Sequence, residues 1–344
     1  MEDKVQIVNW LLTRRCNLSC SYCAIVKNYK QKPKEYPDIK YYLKSEMSTK
    51  FVLDALEKIQ KHNPTCFHIF YGGEPMLRKD LPEIIRYCNE NGIYYTIITN
   101  NTPEVQPLIE NLFLQAGDIA GITSSVDPLP VVREGEDSDF KSSEGFKRLI
   151  EQKEIVNDVV AEITVTNQNL SHLHRTVKAL TENGISSSIT FIDPKKTPYY
   201  DFSNTTDEDL LVRNTMALSF ELNKIKQDKL DIHMRDELFD FFLDGKVLPS
   251  NYDCKLENGV HNLTIDADGT VRLCLRIKGV MIPKLKITDC FMYDGRLLPS
   301  VKDFMSTDKN NYCRLCNWTC PMMTEITSKK PSKTNDLLHT DRRE

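Results

Sequence analysis

The chain has 344 residues, 40% of them hydrophobic, enough to bury a large core in one big domain or two. A net charge of −4 and a pI near 6.0 provide no cationic field, which excludes a protein that grips nucleic acid through a basic surface. No run approaches the roughly 18 apolar residues of a membrane helix, and Met1-Glu2-Asp3-Lys4 does not resemble a signal peptide, so the expectation is a cytoplasmic chain with no membrane partner.

Residues 5–12 are β-branched and large apolar side chains and read as a strand. Cys16, Cys20 and Cys23 follow at C-x3-C-x2-C spacing in the loop leaving its C-terminal end. Three thiolates on one short loop can each hold one iron of a 4Fe-4S cube, which leaves the fourth iron open for chemistry. The alternative is a zinc site, but zinc normally uses two separated pairs, and His62 and His68 stand a strand and a helix away. The polar stretch 27–45 reads as a long loop and candidate lid. A helix then opens at Ser48, its N-cap, with Phe51, Leu53, Ala55, Leu56 and Ile59 as its apolar face.

Strand 66–71 runs into Gly72-Gly73-Glu74-Pro75, where paired glycines let the backbone approach a ligand and Glu74 adds an acceptor; alone, the tetrapeptide is also an ordinary turn. Helix 81–89, strand 93–99, helix 105–114, strand 119–127 with its polar exit, helix 144–153, strand 159–166, helix 170–181 and strand 187–192 continue the alternation, which argues for a parallel β/α architecture. Asn100, Ser125, Asp127, Thr166 and Asn169 fall near the C-terminal strand ends, the face where sites of such barrels form, although Asn and Ser are common turn residues too. Residues 194–250 break the rhythm, with helical patterns at 207–226 and 237–243.

Eleven cysteines in an intracellular chain read as metal ligands more readily than as disulfides. Cys254 precedes two alternating strands around Asp268-Gly269, a hairpin signal that returns the chain at Cys274; Cys313, Cys316 and Cys320 come later. A zinc ribbon is one reading of this second set. Cys66, Cys88 and Cys290 read as buried thiols.

The first cysteine motif, with aromatic Tyr22 before its last cysteine, the following Gly-Gly-Glu-Pro and the late G-x4-C hairpin resemble the radical S-adenosylmethionine (SAM) enzymes in order and spacing over about residues 5–322. The resemblance implies a partial (β/α)6 TIM-like barrel over residues 1–195 and a helical bridge over 196–250. It further implies a small α+β cysteine-rich domain of the SPASM or twitch kind over 251–325, with a polar tail after it. It implies SAM on the open iron of the cluster held by Cys16, Cys20 and Cys23. Gly72, Gly73, Glu74 and Pro75 would contact the SAM amino group, while Tyr22, Asn100, Ser125, Thr166 and Asn169 would complete the cofactor site.

Five late cysteines cannot complete two cubes, so one auxiliary 4Fe-4S cluster is expected from Cys254, Cys274, Cys313 and Cys316, or with Cys320 as in the full SPASM pattern. A flavodoxin- or ferredoxin-like electron donor is the implied partner. The implied substrate is a ribosomally made peptide or protein, cross-linked, epimerised or oxidised. The alternatives are a small-molecule dehydrogenase or epimerase, and a non-catalytic iron–sulfur or zinc protein that binds a partner. With the first motif at residue 16, no N-terminal peptide-recognition domain is expected, which counts against the peptide reading. For an epimerase, Cys290 is the candidate hydrogen-atom donor.

Overall fold

The computed structural model describes residues 5, 7–18, 20, 23, 46–113, 120–126, 144–156, 158–191, 212, 214–232, 262–272, 281–290, 292, 298 and 299. The expected loop at 27–45 and helix at 237–243 lie outside them. Strands β1 (Ile7–Thr13), β2 (Phe67–Gly72), β3 (Tyr95–Thr99), β4 (Ala120–Val126), β5 (Asp158–Val165) and β6 (Ser186–Phe191) lie side by side in chain order, all parallel. Parallel neighbours need a crossover, and helices supply it: α1 (Thr49–His62), α2 (Leu81–Glu90), α3 (Gln106–Phe113), α4 (Glu144–Lys153) and α5 (Leu173–Glu182).

Local chemistry sets the helix ends. The Ser48 hydroxyl accepts from the Phe51 amide at 3.3 Å and caps α1, as its sequence pattern suggests. Gly184, at φ +65°, ends α5, where the Ile185 amide turns back onto the Leu180 carbonyl at 3.0 Å. The start of α5 differs from expectation: residues Leu170–His172 form a 3-10 turn, and the α-helix begins only at Leu173.

One face of the sheet packs on the helices. Val8, Trp10, Leu12, Phe70, Tyr95, Ile97, Ile122, Ile163 and Val165 meet Val52, Leu56, Ile59, Ile84, Ile85, Ile109, Leu149, Val177 and Leu180 in one buried core. Cys66, Cys88 and Cys290 belong to it, as buried thiols should. His68 is also inside, its Nδ1 accepting from Trp10 Nε1 at 2.9 Å, and burial pulls its pKa down to about 3, so the ring is neutral. The opposite, inner face of β3–β6 is only partly buried and carries Thr96, Thr123, Ser125, Glu162, Thr164, Ser188 and Thr190.

Three further strands extend the sheet beyond β1. β7 (Asn262–Ile265) runs parallel to it, and β8 (Thr270–Arg272) and β9 (Met281–Lys286) follow antiparallel, for the order β6-β5-β4-β3-β2-β1-β7-β8-β9. The hairpin expected at Asp268-Gly269 is present, with Gly269 at φ +84°. Helix α6 (Thr215–Gln227), capped by Asn214, buries Leu218, Leu222 and Ile225 and starts eight residues later than its apolar pattern suggests. The chain after α6 covers the β6 edge, where the Ser187 amide donates to the Asp231 carbonyl at 3.2 Å. Among the described residues, no helix is long and apolar enough to cross a membrane.

Candidate functional site

The loop leaving β1 carries Cys16, Cys20 and Cys23, all partly exposed and none in a disulfide. The loop is shaped by its own backbone: the Cys23 amide bonds the Cys20 carbonyl at 3.1 Å, and the Leu18 amide points at Cys16 Sγ at 3.3 Å. Among the described residues, no three His, Cys, Asp or Glu side chains converge on one ion. A cube asks for no such convergence, because each thiolate takes its own iron. His62 and His68, the nitrogen ligands weighed for zinc, are placed by the fold elsewhere: His62 Nε2 accepts from the Val5 amide at 3.1 Å and His68 is in the core. The donor set at the loop is therefore three thiols on one short turn, which fits a cube with one open iron.

The Gly-Gly-Glu-Pro segment docks directly onto this loop. The Gly73 amide donates to the Thr13 carbonyl at 2.8 Å and the Glu74 amide to the Arg15 carbonyl at 2.7 Å. A Cβ on Gly72 or Gly73 would run into the main chain of Thr13 and Arg15. The sequence assigns these glycines to ligand approach; the structure gives them the approach of one loop to another.

Glu74 is fully buried, and its carboxylate accepts from the Met76 amide at 3.0 Å, the Thr99 hydroxyl at 3.0 Å and the Asn100 amide at 2.7 Å. Its side chain thus fastens the ends of β2 and β3 together. Pro75 is buried beside it as the first residue of a short 3-10 turn.

Asn100 also works on the cysteine loop. Its amide donates to Asn17 Oδ1 at 2.7 Å and lies 3.6 Å from Cys16 Sγ, while Asn17 reaches Thr102 at 2.8 Å. An N–H donor at a ligand sulfur is one of the devices that tune cluster potential.

Thr166 and Asn169 are engaged with each other. Asn169 Oδ1 accepts from the Thr166 amide at 2.7 Å, Thr166 Oγ1 accepts from the Asn169 amide at 3.2 Å, and both side chains are fully buried. They close the turn after β5. Ser125 stays partly exposed on the inner face.

Cys290, weighed as a hydrogen donor, is fully buried against the α1 side of the core; its thiol donates to the Lys286 carbonyl at 3.4 Å and burial pushes its pKa up to about 12. Its burial agrees with the buried-thiol reading. Tyr22, Asp127, Cys254, Cys274, Cys313, Cys316 and Cys320 lie outside the described residues, although β8 ends at Arg272, two residues before Cys274.

Sequence reasoning missed three groups. Arg14, between β1 and Cys16, is buried in an ion pair with Asp266 of the β7–β8 turn, a contact that local spacing cannot reveal. Arg78 is buried and donates to the Leu12 carbonyl at 3.0 Å, the Met47 carbonyl at 2.9 Å and Asp80. Glu162 sits on the inner face of β5; a lone charge in the apolar run Val159 to Val165 was the available signal.

Residues 10–117 match the family model described as the Radical SAM superfamily. Fe-coproporphyrin III synthase of Methanosarcina barkeri is 37% identical over 101 residues, 29% of this chain and 22% of that protein. PqqA peptide cyclase of Xanthomonas campestris pv. campestris is 31% identical over 137 residues, 40% of this chain and 33% of that protein. The matches thus span a third or less of the length of these curated relatives. SuiB of Streptococcus suis has a similar fold, with a TM-score of 0.63 at 14% identity over 92% of this chain and 72% of that one. SuiB is also solved bound to S-adenosylmethionine and bound to the precursor peptide SuiA. The six β/α units accordingly form a partial barrel, as the alternation of elements suggests.

Proposed function

We propose that the chain is a radical SAM enzyme that acts on a ribosomally made peptide or protein, using a 5′-deoxyadenosyl radical made by reductive cleavage of SAM at a 4Fe-4S cluster on Cys16, Cys20 and Cys23. The observation that carries this reading is the docking of the Gly-Gly-Glu-Pro segment on the cysteine loop, through Gly73 to Thr13 and Glu74 to Arg15. This contact holds a three-thiol turn at the C-terminal ends of parallel strands, the face where barrel sites form.

The protein's own residues orient and tune. Glu74 ties β2 to β3, Asn100 directs an N–H at Cys16 Sγ, and the Arg14–Asp266 pair joins the cysteine loop to the hairpin that leads towards Cys274. The expected auxiliary cluster, on Cys254, Cys274, Cys313 and either Cys316 or Cys320, would take ligands from both sides of that hairpin and could accept an electron from substrate.

The names of PqqA peptide cyclase and of the SuiB–SuiA complex support the peptide reading. The match to Fe-coproporphyrin III synthase favours a second one, a small-molecule substrate. Oxygen-free protein reconstituted with iron and sulfide, then given SAM and dithionite, is expected to form 5′-deoxyadenosine, and Cys20→Ala to form none. Equal product from Cys20→Ala, or none from a fully loaded wild type, contradicts the proposal. A mass change in a candidate peptide that depends on SAM selects between the two substrate classes.

A further inference from the structure

On the inner face of the sheet, β4, β5 and β6 set Ser125, Glu162 and Ser188 side by side in register. One step back lie Thr123, Val160 and Ser186, and one step on Thr164 and Thr190. The row is level with the cysteine loop's support: Thr99 pairs with Ser124, so Asn100, whose amide lies 3.6 Å from Cys16 Sγ, stands beside Ser125. Glu162 therefore looks into the same space as the candidate cofactor site.

What surrounds Glu162 is neutral. β4 presents Thr123 and Ser125, and β6 presents Ser186, Ser188 and Thr190. On β5 itself the nearest ionisable side chain is Asp158, at the exposed opposite end of the strand, and at the sheet edge Asp231 is bonded to Ser186. No cation faces it among the described residues. The contrast with two other carboxylates is direct, because Asp266 is paired with Arg14 and Asp80 with Arg78, while buried Glu74 is held by two backbone amides and the Thr99 hydroxyl. Loss of solvent raises the Glu162 carboxyl from 4.5 to about 7, and a hydrogen bond from Ser188 only partly opposes the rise.

An acid that has no counter-charge among the described residues and stands in a row of hydroxyls is a ready partner for a cation that arrives from outside. We propose that Glu162 is the anchor for a positively charged nitrogen of the substrate, a lysine, arginine or amine group seated on the inner face beside Ser125. The proposal rests on the radical SAM reading of the site and deepens it by naming the substrate's charge.

The test uses cluster-loaded, SAM-bound protein and two probes, N-acetyl-glycyl-lysyl-glycinamide and its uncharged norleucyl counterpart, with binding followed by NMR at pH 6 and pH 8. Only ionised Glu162 attracts the lysyl probe, so its affinity should rise about tenfold across that interval as the carboxyl ionises. Glu162→Gln should weaken it about tenfold or more and remove the pH dependence. The norleucyl probe should respond to neither change, which also reports that the variant is folded. Equal affinity for the two probes, a pH-independent wild type, no binding of the lysyl probe, or unaltered lysyl binding by Glu162→Gln overturns the proposal. Formation of 5′-deoxyadenosine by the wild type is assayed separately. Its absence beside lysine-selective, Glu162-dependent binding would sink the radical reading alone.

Discussion

The two halves of the parallel sheet use their polar groups in opposite ways. Around β1–β3 they are bonded inward: Glu74 takes three donors, Arg78 holds two carbonyls, Arg14 is paired with Asp266, and Asn100 leans on the cysteine loop. Across β4–β6 the inner face keeps a field of hydroxyls around one carboxyl, Glu162, hydrogen-bonded to Ser188. The first arrangement suits a platform that must hold a metal cluster in one geometry, since ligands need a bonded outer shell. The second suits a surface that receives a molecule from outside.

The comparison breaks first at Asp266. Asp266→Ala strands the Arg14 guanidinium in a site where both partners are at most 2% exposed, and should cost about 3–5 kcal/mol, read as a lowered urea midpoint. A loss below about 1 kcal/mol would mean that the platform half is no more tightly bonded than a surface pair. Glu74→Gln is the next largest. It turns a donor towards the Met76 and Asn100 N–H groups, for an expected cost of about 1–3 kcal/mol and reduced iron loading.

Glu162→Gln sharpens the comparison from the other side, because the sign of its effect depends on pH. A folded pKa near 7 against an ordinary 4.5 means the folded state holds that proton more tightly. The associated stability is complete below about pH 4.5 and lost as pH rises through 7. Melting curves should therefore show wild type falling relative to the variant between those values, with no further divergence above pH 8. The smallest effect is expected at the turn after β5: Asn169→Ala should lose about 1 kcal/mol through its missing backbone bonds and leave SAM affinity unchanged. A tenfold loss of SAM affinity would restore the ligand contact that the resemblance suggests.

Secondary structure was legible because each segment carries its own period and punctuation. The helix expected over residues 144–153 is found at Glu144–Lys153, Ser48 caps α1, and Asp268-Gly269 turns the hairpin. The first motif was legible for a chemical reason, since three cysteines so close together have few structural uses. What stayed hidden depends on direction and distance. Position in the chain places Thr166 and Asn169 at a strand exit but does not tell that each side chain turns back onto the other's backbone. Residues 252 positions apart, Arg14 and Asp266, meet only because β7 pairs with β1, and no local pattern encodes that pairing. Glu162 was visible as a charge in an apolar run, yet its meaning follows from the register that sets it beside Ser125 and Ser188.

Electron paramagnetic resonance of the oxygen-free, reconstituted, dithionite-reduced protein, recorded before and after SAM is added, probes the open iron most directly. The expected result is a reduced-cluster component that shifts with SAM in the wild type and is lost in Cys20→Ala, beside any SAM-insensitive component from the auxiliary cluster. A spectrum with no component that responds to SAM, or a SAM-responsive component that survives in Cys20→Ala unchanged, would contradict it.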